Sequence, residues 1–319
     1  MSKDKSSGAG KNRPAAPASA QQRLAAQRAA AARERIAAAQ RRRRLIVTGA
    51  AIAGVIAVVA VLIVVKVVTG AGNPKSGPAA TAASSTVLGR VTSVPSATFN
   101  AVGVGTATAE PIAIKSAPAL TDAGKPEILY VGAEYCPYCA AERWAMAAAL
   151  SRFGTLSNVG QTTSSASDVF PSTPTLSFHG ATYTSKYLVF VGKETESNQV
   201  VNGHYQTLDT LTPAQQTLFS TYDAPPYVSA SAKGTIPFVD IGGKYLINGA
   251  SYTPQVLQGK TQQQVADALA DPSSPIAQAI DGTANLITAA FCTLTGAQPA
   301  DVCTSAGVTA AAAKIGAGA

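Results

Sequence analysis

Histidine is scarce: His179 and His204 are the only two in 319 residues, and their spacing is not that of a ligand pair. Zinc sites draw on clustered His and Cys, so little in this composition points to a metal centre. Charge is also scarce, at 13% against 46% hydrophobic residues, which excludes a wholly disordered chain. A second long apolar run is missing, which excludes a polytopic membrane protein. No repeat of 20–50 residues is visible, so the chain is not a solenoid. Acidic residues are nearly absent from the N-terminus. Residues 1–44 hold twelve Lys/Arg against Asp4 and Glu34, whereas the chain after Lys66 carries 12 basic and 15 acidic residues. The overall +8 therefore belongs to a tail. A nucleic-acid-binding domain would carry its basic footprint on the folded part, so no nucleic-acid partner is expected.

What is present begins with Leu45–Val65, 21 residues without a charge. As a helix it spans about 32 Å, close to the hydrocarbon core of a bilayer. It is too long and starts too late for a cleaved signal peptide. Arg41–Arg44 abut its N-terminal end, so the expected topology is single-pass, N-terminus cytoplasmic and C-terminal domain outside the cell membrane. The expected divisions are a basic tail (1–44), a transmembrane helix (45–68), a flexible Gly/Pro/Ser/Ala/Thr linker (69–86) and an N-terminal extension (87–125). A main domain (126–270) with an insertion at about 155–230 and a C-terminal helical extension (271–319) follow. Residues 19–44 predict a basic helix. Lys and Arg near an anionic inner leaflet contribute about 1 kcal/mol each, so an anionic lipid surface is its natural partner. With only Leu24 and Ile36 as bulky apolar residues, its first use is as a topology signal and solvated helix.

Within the outer part, Val87–Val91 and Ile112–Ile114 are β-prone. Glu127–Val131 predicts a buried strand, and AAERWAMAAALSRFG after Cys136-Pro137-Tyr138-Cys139 predicts a helix ending by Gly154. In that helix Trp144, Ala148, Leu150 and Phe153 face inward, and Pro137 fits its first turn. Further strands are expected at Asn158–Thr163, Leu176–His179 and Tyr187–Val191, the last two joined near Gly180. Thr212-Pro213 opens a helix, and two apolar runs around Gly242-Gly243 predict a β-hairpin. Residues 261–270, 275–290 and 297–314 read as helices.

Four cysteines permit three pairings, and spacing suggests Cys136–Cys139 and Cys292–Cys303. A cysteine at a helix N-terminus lies near unpaired N–H groups and the positive end of the dipole, which favours the reactive thiolate. An exposed Cys136 would attack a client disulfide and Cys139 would resolve the adduct. A lone CxxC also serves zinc sites and inert bridges, and those alternatives stay open. Cys292–Cys303 reads as a structural staple, with a second redox relay as the alternative.

Strand–CPYC–helix, followed by Ile236-Pro237 in TIPF and a Gly-Gly hairpin, resembles the thioredoxin superfamily. The Pro-Tyr dipeptide is similar to that of glutaredoxins. The 97 positions between Cys139 and Ile236 are similar to DsbA-type proteins, and the anchor resembles membrane-anchored actinobacterial thioredoxin-like proteins. The resemblance covers about residues 126–270 and implies an α/β thioredoxin-like fold, a central mixed sheet flanked by helices, with an insertion. It implies a thiol–disulfide oxidoreductase with Cys136 as nucleophile, Cys139 as resolving thiol and Pro237, in cis, positioning the client. Tyr135, Pro137, Tyr138 and Ile236 become candidates for the client groove, and no cofactor is implied. Clients would be protein thiols and disulfides. A membrane partner would supply reoxidation through quinone or carry electrons for reduction. One departure stands out: the superfamily's buried carboxylate six residues before the first cysteine is here Tyr130, flanked by Glu127 and Glu134. Glu134 is expected to be a solvated loop carboxylate, with a nearby proton acceptor for the cysteines as the alternative. The departure and the large extensions favour the second expectation, a non-catalytic accessory or scaffold subunit of a cell-envelope complex.

Overall fold

The computed structural model describes residues 73–115 and 117–315. The expected tail and transmembrane helix lie outside them. Among the described residues no helix is long and apolar enough to cross a membrane. The architecture is α/β: a six-stranded mixed sheet flanked by helices.

Strand β4 (Lys125–Gly132) is the centre of that sheet, and its Ile128–Gly132 segment is fully buried. It runs antiparallel to β12 (Phe238–Ile241) and parallel to β9 (Val189–Glu194). Strand β12 turns through Gly242 and Gly243, both at positive φ, into β13 (Tyr245–Asn248), which is the hairpin expected from the sequence. Side chains alternate across a strand, so β4 serves two cores. Leu129 and Val131 join Phe238, Leu246 and Tyr222 on one face, beneath the helix Pro213–Tyr222 with its Thr212–Gln215 capping box. Ile128 and Tyr130 belong to the larger core on the other face.

That larger core is built on α3 (Pro137–Ser151) and α6 (Pro275–Leu294). Both are buried over most of their length. In α3, Trp144, Ala148, Leu150 and the following Phe153 are buried as expected, and the Trp144 indole N–H donates to the Pro174 carbonyl at 3.0 Å. Trp144 therefore belongs to the core. Cys292, at the end of α6, is bonded to Cys303, as its spacing suggests.

Three expectations are corrected. The β-prone Val87–Val91 lies in a helix, α1 (Ser85–Thr92), because the Ser84 hydroxyl caps it and Val87 and Val91, one turn apart, both face the core. The turn at Gly180 leads into an extra strand, β8 (Thr182–Ser185), before β9. Strand β8 is half exposed and polar, and among the described residues its one sheet partner is β5 (Gly154–Ser157). Finally, most of the described part of the expected flexible linker is tied down. Residues 75–82 are hydrogen-bonded to the insertion, and Thr81–Ala82 (β1) pairs with Gln161 and Gly160 of β6 (Gly160–Thr163).

Candidate functional site

The site stands at the C-terminal end of β4, where the chain leaves the sheet and enters α3. Cys136 is the N-cap of α3, and its sulfur accepts the Cys139 backbone N–H at 3.3 Å. Opposite, the Cys136 thiol donates to the Ile236 carbonyl at 3.7 Å, and the Ile236–Pro237 peptide is cis, as the resemblance implies. Cys136, Cys139 and Pro237 are thus brought to one place from segments 97 positions apart. Both cysteines are free thiols in this structure.

The two sulfurs are unequal. Burial would push the Cys136 thiol up. The hydrogen bonds from the Cys139 thiol and N–H, then the charge of Arg143, outweigh it and hold Cys136 below its usual value. Burial, and next the hydrogen bond and charge of Cys136, push Cys139 well above its usual value, against the charge of Arg143. Cys136 is therefore the thiolate-prone sulfur.

Beneath them lies a buried ion pair that motif reading missed. The Arg143 guanidinium, one turn after Cys139, makes a two-bond fork to Glu194 of β9 at 2.6 and 2.8 Å. The same guanidinium donates to the Ala133 carbonyl at 2.6 Å and the Thr175 hydroxyl at 3.2 Å. A signal was available: Glu142 and Arg143 interrupt a helix otherwise apolar on every side, and a charge in such a helix needs a partner. Glu142 finds the Ser251 N–H and hydroxyl, and burial raises it to about 7 against those two bonds. Glu134 is not a solvated loop carboxylate. It is 2% exposed and accepts the Ser177 hydroxyl at 2.6 Å.

Cys136, expected to be exposed, is 5% exposed, and the insertion forms a roof over its neighbours Tyr135 and Tyr138. The ring of Tyr135 stacks on Tyr205 at 4.2 Å, the Tyr205 hydroxyl donates to Ser165, and the Ser165 N–H donates to the Tyr135 carbonyl. Tyr138 meets Phe170 edge to face at 5.8 Å. Pro137 is buried in the first turn of α3, and Ile236 remains half-buried. His179 pairs with Asp209 at 3.0 Å, away from the cysteines' hydrogen bonds. Among the described residues no group of three or more His, Cys, Asp or Glu is placed to hold a metal.

A family model matches residues 112–293. The chain belongs to the family described as a domain of unknown function, DUF929. No curated protein and no solved structure matches the chain. The DUF929 span contains Cys136, Cys139, the Arg143–Glu194 pair, the roof and Pro237. It ends just after Cys292, leaving Cys303 and residues 75–82 outside it.

Proposed function

We propose that the chain is a thiol–disulfide oxidoreductase of thioredoxin-like arrangement acting on protein cysteines. The observation that carries this reading is the Cys136 sulfur held between the Cys139 N–H at the start of α3 and the Ile236 carbonyl before Pro237. The first contact favours the thiolate. The second puts the nucleophile beside a backbone segment against which a client strand can lie. In the reaction the Cys136 thiolate attacks a client disulfide, forming a mixed disulfide and releasing one client thiolate. Cys139 then attacks the Cys136 sulfur, closing the Cys136–Cys139 disulfide and releasing the second. Two electrons pass from the dithiol to the client, and the Cys139 proton leaves with the released sulfur or to solvent. The reverse sequence oxidises a client. The uncharged run at 45–65 and the flanking Arg41–Arg44 support a membrane anchor with this domain outside. A membrane redox partner would then reset the pair, quinone-linked if the protein oxidises clients and electron-carrying if it reduces them. The basic tail would rest on anionic lipid.

The 5% exposure of Cys136 favours a second reading, a non-catalytic accessory subunit. Trapping separates the two. Full-length Cys139→Ser expressed in cells should accumulate reductant-sensitive adducts on Cys136, and the double variant Cys136→Ser/Cys139→Ser should not. If Cys139→Ser carries no adduct and behaves as wild type, the accessory reading replaces the enzyme.

A further inference from the structure

Tyr130 is the only tyrosine on β4, and its position is costly in two ways. Its hydroxyl is fully buried and has no hydrogen-bond partner. A buried tyrosine normally finds one, and leaving the group unpaired works against the fold. Two residues on, Gly132 ends the strand. Glycine weakens a strand and marks a close approach. Here the reason is visible: a Cβ on Gly132 would collide with the Tyr130 hydroxyl and lie 2.7–2.8 Å from two ring carbons. The ring therefore lies forward along β4 over Gly132. The hydroxyl comes to the end of the strand that leads into the cysteine motif, on the face covered by α3. Phe178 holds the ring edge to face at 5.1 Å, and the Arg143 guanidinium carbon lies 6.0 Å from its centre. Residues 130 and 132 are thus arranged to deliver a dry, unused donor to the floor of the site.

We infer that the Tyr130 hydroxyl is the hydrogen-bond donor reserved for the Cys139 sulfur when that sulfur becomes negatively charged. This deepens the exchange reading and rests on it. In the dithiol the hydroxyl is idle. During resolution Cys139 loses its proton to attack Cys136 in a buried setting, and a donor to the forming thiolate lowers that barrier. Tyr130 takes no proton. Burial above all, opposed by Arg143 and reinforced by the charges of Cys139, Glu194 and Cys136, holds its phenol well above the usual range. It keeps its proton through the cycle and so stays available as a donor.

The test uses the full chain and a chromogenic aromatic disulfide. The Cys136 thiolate breaks that disulfide, joins one half and releases the first aryl thiolate. Cys139 then forms the intramolecular bond and releases the second, its proton passing to solvent. Tyr130→Phe keeps the ring and removes only the donor. The expected result is an unchanged first release and a second release about tenfold slower, the effect of one hydrogen bond to a charged group. Its thermal midpoint should equal or exceed that of wild type, because an unpaired buried hydroxyl is gone. Gly132→Ala, which keeps the hydroxyl but displaces it, should slow the same second phase. A second release within about twofold of wild type in Tyr130→Phe overturns the inference while leaving exchange intact. A wild-type chain that releases nothing overturns both.

Discussion

Asp281 is buried on α6 with neither carboxylate oxygen hydrogen-bonded. Burial raises it to about 8, although the charge of Arg152 opposes the shift. Arg152 itself is held by Asn285, Thr288 and Ser305. A carboxyl whose folded value lies above its unfolded value binds its proton more tightly in the native state. Its stabilising effect is complete below about pH 4 and is lost as pH rises toward 8. Asp281→Asn should therefore raise the thermal midpoint by several degrees at pH 9 and change it little at pH 4. Equal shifts at both values would contradict the assignment. Glu142, raised to about 7, adds to the same alkaline decline. Residues of this kind are legible only in part. Glu142 and Arg143 were visible as charges inside an alanine-rich helix, but their partners Ser251 and Glu194 lie 109 and 51 positions away. Nothing local in the sequence names them.

The elements show the same division. The central strand, the CPYC helix and the Gly-Gly hairpin are legible because apolar runs, a Pro at the first helical turn and paired glycines are local signals. The strap at residues 75–82 is not. Apart from Lys75 its residues are all small, and its partners lie far along the chain. Asn198 and Thr162 donate to the Pro78 carbonyl, Val200 donates to the Ser76 hydroxyl, and Ser165 donates to the Lys75 carbonyl. These contacts fasten the roof that packs on Tyr135 and Tyr138, on either side of Cys136. Gly77 sits where a Cβ would come within 2.7 Å of the Asn198 amide and 2.9 Å of the Thr163 hydroxyl. Gly77→Val should therefore lift the strap and raise the alkylation rate of Cys136 severalfold, with the thermal midpoint nearly unchanged. An unchanged rate would mean that the roof holds without its strap. At the other end of the chain, the Cys292–Cys303 bond closes a short loop between α6 and the helix Ala300–Cys303. Replacing both cysteines with alanine should cost about 2–3 kcal/mol, read as a fall of several degrees in the midpoint.

At the scale of the whole molecule, the chemistry proposed for this DUF929 member depends on two distant segments meeting. Cys136 comes from the end of the central strand, and Ile236 from the entry to its antiparallel neighbour. Each segment carried its own signature, and their meeting was implied by a resemblance. The roof between them was not foreseen, because residues 155–230 fold mostly into short strands with little apolar alternation. The result is a thiolate-prone cysteine that is covered, above a buried ion pair and an idle hydroxyl. The most direct test of the central claim is the reduction potential of the Cys136–Cys139 pair, measured by equilibrating the full chain against glutathione. Reversible exchange is expected at a potential between ~−120 and ~−270 mV, the range of thiol–disulfide oxidoreductases. A pair that does not exchange, or one well below ~−300 mV, would make the motif a structural bridge and contradict the account.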